Sequence, residues 1–248
     1  MEEKMERPNH DGVFVDEDDP PMLSSHALAA LKEFLEEKQQ SVGDQTTENA
    51  ERGAGEKVDL VDEDWRLSQF WYDPLTAETI AEEVVLALCK NTAAGGGKPN
   101  SIPNTSVACV ACPTLYAYIK KIDPDARAQL LEYDKRFEQY GSDFTFYDYN
   151  QPEDLPTEFK HSFQVVVADP PYLSKECLEK IAQTISFLAA PGKSYLLLLT
   201  GEVQKDTAAE LLGLHPCGFR PQHSSKLGNE FRLFTNYDPG MRLGGWEL

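Results

Sequence analysis

Residues 169 to 172 read Asp-Pro-Pro-Tyr and directly follow the apolar run VVVA at 165–168, which is typical of a buried parallel strand. A carboxylate is costly in such a place and prolines cannot continue a strand ladder, so the strand must end abruptly there. In open α/β sheets, ligands bind at the carboxyl ends of the strands. We therefore expect a rigid, polar and aromatic site formed by Asp169, Pro170, Pro171 and Tyr172.

Acidic residues also end two earlier apolar segments of the sequence. Glu132 and Asp134 end the first, and Asp148 ends the second. Because strand ends of a parallel sheet meet at one edge, these carboxylates could bind the ribose and the adenine amine of a nucleoside. A single acid after a strand often only marks a loop, but three in order favour a nucleoside-sized cleft.

The segments that position these residues alternate between strand and helix patterns. Such alternation predicts a parallel sheet with helices on both faces, and a closing hairpin completes a seven-stranded, doubly wound, Rossmann-like α/β domain. The predicted strands cover 106–113, 128–137, 143–150, 163–172 and 192–201, the helices cover 76–89, 114–122, 174–189 and 205–214, and the final antiparallel pair combines 218–223 with 230–238.

The N-terminal quarter differs in composition from the rest of the chain. Residues 1–22 are acidic and proline-bearing, which predicts disorder, and 41–57 have the composition of a linker. Between them, 23–40 carry leucines and a phenylalanine at helical spacing, so we expect an amphipathic helical extension that either docks on the domain or binds a partner. The folded domain is predicted to cover 58–248.

Charge and composition restrict the class of protein. Of the 42 acidic and 23 basic residues, 19 and 6 lie within residues 1–64, so this N-terminal part carries −13 of the net charge of −19. An acidic field disfavours DNA and RNA and fits a basic protein partner better. Since neither a signal peptide nor a membrane-spanning run is visible, and the five cysteines are odd in number, we expect a cytoplasmic protein with reduced thiols.

The strand-end acids together with the Asp-Pro-Pro-Tyr tetrapeptide resemble class I S-adenosylmethionine-dependent methyltransferases that act on amino groups. The resemblance implies that Asp169 and the Pro170 carbonyl accept hydrogen bonds from the target nitrogen, while the ring of Tyr172 packs on the acceptor group. An amine attacks a methylsulfonium only when its lone pair is free and aligned, so the site must orient its N–H groups. The two prolines fix this geometry before the substrate arrives.

The same resemblance assigns the S-adenosylmethionine contacts. In "LSQFWYDPLTAETIA", a Gln-aromatic segment before a helix is similar to the one that lies over the methionine part of the cofactor in these enzymes. By this resemblance Asp134 binds the ribose hydroxyls, and Asp148 binds the adenine amine. The implied cofactor residues are Gln69, Phe70, Trp71 and Tyr72 over the methionine, and Tyr147 or Tyr149 beside the adenine ring.

The first strand departs from this family pattern. It ends in "ACVACPTLY", where most such enzymes have a glycine-rich loop that lets the backbone approach the cofactor. The loop of Ala111, Cys112 and Pro113 must therefore pass the methionine part of the cofactor by another path. Because "CVAC" supplies only two of the four ligands that a zinc site needs, we predict no metal site.

Over residues 23–248 the sequence closely resembles the eukaryotic protein-lysine methyltransferases that act on translation elongation factor 1-alpha. The segments "LSSHALAALKEF", "LSQFWY", "EYDKRF", "FYDYNQPEDLP", "ADPPYLS" and "NEFR" carry the resemblance. It implies a lysine of that factor as the acceptor. A nucleic-acid N6-adenine methyltransferase remains an alternative because the same tetrapeptide serves exocyclic amines, and an inactive binding scaffold is a second alternative.

Overall fold

A computed structural model describes residues 60–94, 106–225 and 230–247 of the chain. All of these lie within one compact unit, Gly55–Leu248. The tail, the amphipathic helix and the linker that the sequence predicts for 1–57 lie outside the described residues, as does most of the loop before the first strand. Their assignment stays a prediction.

The described residues form seven strands and four α-helices in alternation. Each predicted strand and helix up to residue 214 is present, although the strands are shorter than the apolar runs that predicted them. The strands are β1 (Ser106–Val110), β2 (Arg127–Glu132), β3 (Phe144–Phe146), β4 (Val165–Ala168), β5 (Tyr195–Gly201), β6 (His215–Pro216) and β7 (Phe231–Thr235), and the helices are α1 (Pro74–Ala94), α2 (Pro113–Ile122), α3 (Lys175–Leu188) and α4 (Lys205–Leu212).

The strands form one sheet in the order β3-β2-β1-β4-β5-β7-β6. β1 to β5 are parallel, and β7 runs antiparallel between β5 and β6. β1 and β4 are neighbours although they are not consecutive in the chain, so the strand order reverses between them. This confirms the predicted seven-stranded doubly wound α/β fold and places its ligand-binding crevice at the carboxyl ends of these two strands.

Both faces of the central strands are covered, because β1 and β4 are almost wholly apolar. One face packs against apolar side chains of α1 and α2, and the other packs against those of α3 and α4. Val166 and Val167 of β4 illustrate this arrangement, since each belongs to a different one of the two buried clusters. The strand ends are therefore held rigidly, which fixes the loops that follow them.

The predicted final hairpin is wrong in one of its strands. β7 pairs with His215–Pro216 and not with residues 218–223. The N–H groups of Gly218 and Phe219 donate instead to the C-terminal turn, at the carbonyls of Gly245 and Leu243. Since Pro221 has no N–H to offer a ladder, this segment becomes a loop, and that loop reaches the candidate site.

Candidate active site

A cavity of about 530 Å³ lies at the carboxyl ends of β1, β2 and β4. This volume is within the range of small-molecule and cofactor sites. The structure brings together every site residue that the sequence predicts, with the exception of Asp134. The predicted residues that line it are Gln69, Phe70, Trp71, Tyr72, Ala111, Cys112, Pro113, Tyr147, Asp148, Tyr149, Asp169, Pro170, Pro171 and Tyr172.

The backbone of Asp169 is positioned by the last hydrogen bond between β1 and β4. Its backbone N–H donates to the Val110 carbonyl at 3.0 Å, which continues the β1–β4 ladder by one bond before the prolines end it. Burial raises the pKa of this carboxyl to about 8, and the charge of Glu132 adds to the rise, while the Tyr72 hydroxyl opposes it. A half-buried carboxyl that titrates near neutrality is typical of groups that exchange protons with a substrate.

The rest of the tetrapeptide forms the rim of the cavity. Pro170 is buried, and the Tyr172 side chain is 43% exposed at the mouth. The Tyr172 ring meets the Tyr149 ring at 5.9 Å and 60°, so the end of β4 touches the loop after β3. The loop ends at Ser174, whose hydroxyl accepts from the Cys177 N–H at 3.2 Å and begins α3.

The loop after β1 contains no glycine, and a left-handed alanine takes its place. Ala111 has φ of 53°, a left-handed conformation that costs an L-residue roughly 1 kcal/mol. Its N–H donates to the Leu131 carbonyl at 2.8 Å. Cys112 is turned inward, with its thiol directed to the Val167 carbonyl at 3.6 Å, and Pro113 begins α2. Ala111 thus follows the backbone path that a glycine would take most easily, and the loop still lines the cavity.

Glu132, the last residue of β2, reaches the cavity, as the sequence predicts for the carboxylates at the strand ends. One of its carboxylate oxygens accepts from the N–H groups of Tyr133 and Asp134, both at 3.0 Å. Burial raises the pKa of this carboxyl to about 7, against the effect of those hydrogen bonds. Tyr133 follows it and lies half exposed at the cavity wall.

Asp134 is absent from the cavity lining and takes part in an internal network. It accepts from the Gln69 amide at 3.0 Å and from the Arg136 guanidinium at 2.8 Å, and Arg136 donates in turn to the Gln69 side-chain oxygen at 3.0 Å. Burial raises the pKa of this carboxyl, but the hydrogen bonds from Arg136 and Gln69 lower it by a larger amount. The pKa is therefore depressed overall. These contacts fasten the segment before α1 to the end of β2.

That segment, residues 68–73, forms a roof over the cavity and is held at its other end as well. The Asp73 N–H donates to the Gln222 carbonyl at 2.9 Å, and the Ser224 N–H donates to the Trp71 carbonyl at 2.8 Å. Tyr72 lies between them and makes an isolated β-bridge with His223. The loop that the sequence had predicted as a strand therefore completes the site by pairing with the roof.

Asp148 and its neighbours form the wall after β3. Asp148 is half-buried and accepts from the Asn150 N–H at 2.8 Å, which shapes the turn. Beside it, the buried Tyr147 hydroxyl shares a 2.8 Å hydrogen bond with Thr184, while the Tyr149 ring lies 5.8 Å from the Lys180 ammonium. Two aromatic rings and a carboxylate thus lie together, as the family resemblance implies for an adenine site.

Several lining residues carry no sequence signal. His223 and Phe231 enter from the loop and strand near the C-terminus, and Asn150 and Leu173 belong to the loops after β3 and β4. His223 ends the segment 218–223 that the sequence predicts as a strand, and only its pairing with the roof indicates a place in the site. The described cysteines Cys109, Cys112, Cys177 and Cys217 are free thiols. No helix within the described ranges is long and apolar enough to cross a membrane.

Comparison with known proteins gives the family. A family described as "Probable N6-adenine methyltransferase" matches residues 63–239. "EEF1A lysine methyltransferase 1" of Gallus gallus is 45% identical over 91% of this chain and 98% of its own length; the Mus musculus protein of that name is 44% identical over 91% and 96%, and the Homo sapiens protein is 42% identical over 93% and 98%.

Solved structures resemble the chain less closely. A "protein-(glutamine-N5) methyltransferase (release factor-specific)" from Alicyclobacillus acidocaldarius has a TM-score of 0.35 and 15% identity, covering 66% of this chain and 93% of its own. Such a score supports no conclusion about function. The sequence relatives, by contrast, match along nearly their whole length at more than 40% identity. The chain therefore belongs to the EEF1A lysine methyltransferase 1 family, as its motifs predict.

Proposed function

We propose that this protein is an S-adenosylmethionine-dependent protein-lysine N-methyltransferase that acts on translation elongation factor 1-alpha in the cytoplasm. The observation that carries the chemistry is the half-buried Asp169 carboxyl at the end of β4, beside a cavity large enough for a nucleoside cofactor. The substrate is supported by the names of relatives that are 42 to 45% identical over more than 90% of the chain.

The described residues fit S-adenosylmethionine. Glu132 offers a carboxylate for the ribose hydroxyls, and Asp148 with Tyr147 and Tyr149 offers acceptors and ring faces for adenine. The roof segment and the loop at Ala111 remain for the methionine part. When bound, the cofactor supplies an electrophilic methyl group on a sulfonium. Glu132 replaces Asp134 in this proposal, because the side chain of Asp134 is committed to Gln69 and Arg136.

The chain's own residues would prepare the lysine for attack. A lysine ammonium, with a pKa of about 10.4, must lose a proton, and an ordinary aspartate accepts it across a gap of roughly 6.5 pKa units. With the pKa of Asp169 at about 8, the gap falls to roughly 2.4 units. The proton then stays on Asp169, whose second carboxyl oxygen and the Pro170 carbonyl accept from the neutral amine, while the Tyr172 ring covers the amine at the mouth.

A nucleic-acid adenine methyltransferase is the second candidate, because the matching family carries that description. The net charge of −19 opposes it, since phosphate backbones require a basic surface. A neutral exocyclic amine also has no need of a carboxyl with a raised pKa, whereas a lysine does. Both arguments favour the protein substrate.

Transfer of radiolabelled methyl from S-adenosylmethionine tests the proposal. Purified elongation factor 1-alpha, unmethylated DNA and RNA are offered to the wild type, to Asp169→Asn and to the control Asp143→Asn, whose carboxylate accepts from Tyr116 outside the cavity lining. We expect label on the protein alone, a loss of more than 100-fold in Asp169→Asn and little change in the control.

Mass spectrometry of the labelled factor then identifies the modified side chain. Label confined to nucleic acid would establish the adenine activity in place of the proposed one. No label on any substrate, with cofactor binding intact, would favour the scaffold that the sequence left open.

A further inference from the structure

The hydroxyl of Tyr72 is an unusual group in the cavity wall. The side chain is only 4% exposed, and within 60–94, 106–225 and 230–247 no protein atom stands in hydrogen-bonding geometry with its oxygen. Buried hydroxyls nearly always have a partner, because leaving one unpaired costs the desolvation of the group. The resemblance to related enzymes assigns Tyr72 to the methionine part of the cofactor, which does not account for this oxygen.

Asp169 lines the same cavity and acts electrostatically on this hydroxyl. Burial raises the pKa of Tyr72 well above its usual value, and the charge of Asp169 raises it further. In the opposite direction, the hydroxyl lowers the pKa of Asp169. The two side chains are therefore near neighbours that lack a well-formed bond to each other, and both line the cavity.

The Tyr72 ring is held in this place from the other side. It stacks on the His223 ring with centroids 4.5 Å apart and an interplanar angle of 29°. Phe231 packs edge-on against the same histidine at 4.6 Å. Burial lowers the pKa of His223 to about 4, so this support stays uncharged at neutral pH and does not repel a cationic lysine. The hydroxyl of Tyr72 therefore cannot easily turn away from Asp169.

We propose that the acceptor amine enters between the Tyr72 hydroxyl and the Asp169 carboxylate, and that Tyr72 is an acceptor-binding catalytic residue. This inference rests on the proposed lysine methyltransferase function. A neutral lysine amine has two N–H groups and one lone pair. Asp169 with the Pro170 carbonyl takes one N–H group, the Tyr72 oxygen takes the other, and the lone pair stays free for attack.

The arrangement predicts a dependence on the methylation state of the acceptor. A monomethylated lysine has lost one N–H group, so it no longer needs both acceptors at once. Removal of the Tyr72 oxygen should therefore slow transfer to an unmethylated lysine more than transfer to a monomethylated one. A purely structural role of Tyr72 would slow both steps by the same factor.

The test compares Tyr72→Phe with the control Tyr116→Phe. Tyr116 is also 4% exposed, but its hydroxyl donates to Asp143 at 3.0 Å and the residue is not part of the cavity lining. Time courses on elongation factor 1-alpha, resolved by mass spectrometry, give the rate of each successive transfer. Calorimetry with S-adenosylhomocysteine gives cofactor affinity. For Tyr72→Phe we expect a first transfer about 10-fold slower, a second transfer changed less, and a cofactor Kd within about twofold of wild type.

Transfer at the wild-type rate by Tyr72→Phe would overturn the inference while leaving the proposed function intact, and so would a parallel loss of cofactor affinity.

If the wild type does not methylate the factor, the proposed substrate fails, and n-butylamine replaces it as the probe of the amine subsite. Saturable binding of n-butylamine in the presence of S-adenosylhomocysteine, measured by NMR and weakened in Tyr72→Phe but not in Tyr116→Phe, would then support Tyr72. Equal binding by both variants would refute its role.

Discussion

Two aspartates that follow strands of the same sheet, Asp134 after β2 and Asp169 after β4, have opposite environments. Asp134 is buried among donors and forms an ion pair with Arg136 at 2.6 Å, and its pKa is depressed. Asp169 forms no ion pair with any lysine, arginine or histidine of the described residues, and its pKa is raised to about 8. Both follow strands of the same sheet, and the sequence suggested a site role for both.

The two environments indicate a structural role for Asp134 and a chemical role for Asp169. A carboxylate whose acceptor positions are occupied by the protein stabilises the fold and has little left for a ligand. A carboxylate that is half-buried without a cation destabilises the folded state and retains its capacity for a substrate. On this basis Asp134 supports the roof, while Asp169 and the nearby Tyr72 hydroxyl serve the acceptor.

Asp134→Ala should have the largest effect on stability. It leaves the Gln69 amide and the Arg136 guanidinium without their shared partner, and a lost hydrogen bond to a charged group costs about 2 kcal/mol. Urea unfolding of the apo protein measures this change. As a control, Asp64→Ala removes a salt bridge to Arg66, whose side chain is 89% exposed, and should change the midpoint little.

Cofactor affinity of the same variants decides how Asp134 acts. If Asp134 only holds the roof, Arg136→Met should weaken S-adenosylhomocysteine binding by a factor similar to that of Asp134→Ala. If Asp134 binds the ribose directly, Arg136→Met should change the Kd far less than Asp134→Ala does. That second result would restore the ribose contact implied by the sequence resemblance.

Asp169→Asn should change the pH dependence of stability. The pKa of Asp169 is about 8 in the folded state and about 3.9 when unfolded, so the folded state keeps its proton longer. The resulting stability is fully present below about pH 4 and is lost as the pH rises to about 8. The other ionisable groups acting on this carboxyl are Tyr72, Glu132 and Cys112, and Glu132, with a pKa of about 7, acts in the same direction.

Thermal unfolding of the apo proteins from pH 5 to pH 9 measures this effect. We expect Asp169→Asn to lose less stability over this range and to exceed the wild type by roughly 1 kcal/mol at pH 9. Equal slopes for the two proteins would show that Asp169 is as well stabilised as Asp134, which would remove the contrast between them.

Ala111→Gly should have the smallest effect. Glycine relieves the left-handed φ of 53° but also gains freedom in the unfolded chain, so the net gain is about 0.5 kcal/mol. Ala111→Val should instead lose more than about 1 kcal/mol, because a β-branched residue tolerates this conformation poorly. Chemical denaturation of the wild type and the two variants gives the order of their free energies of unfolding. A glycine variant less stable than the wild type would contradict the strain assigned to Ala111.

Sequence patterns predicted the sheet and most of the cavity because these depend on local signals. The apolar runs specify buried strands, and Asp169, Asp148 and Glu132 lie where such strands must end. The direction of a side chain after a strand is not a local property. Asp134 is absent from the cavity lining and accepts instead from Arg136 and from Gln69, which is remote in sequence.

The strand predicted at residues 218–223 is wrong for a related reason. The sequence predicts that this segment pairs with 230–238, but its backbone pairs with the C-terminal turn and with the roof. Ala111 shows the reverse case: without a glycine, no residue type there predicts a left-handed conformation, yet Ala111 adopts one and donates a hydrogen bond to Leu131. Contacts between distant segments determine both outcomes.

The bond between the Ser224 hydroxyl and the Tyr72 carbonyl joins residues 152 positions apart. During synthesis on a ribosome, the roof emerges early, but the segment that anchors it is made only after six strands and four helices. Closing so long a loop costs conformational entropy. We therefore expect this contact to form only after the intervening sheet has folded. A nascent chain should therefore acquire a folded sheet before it can hold a methyl donor, and enzymatic competence should be among the last properties to appear during its biogenesis.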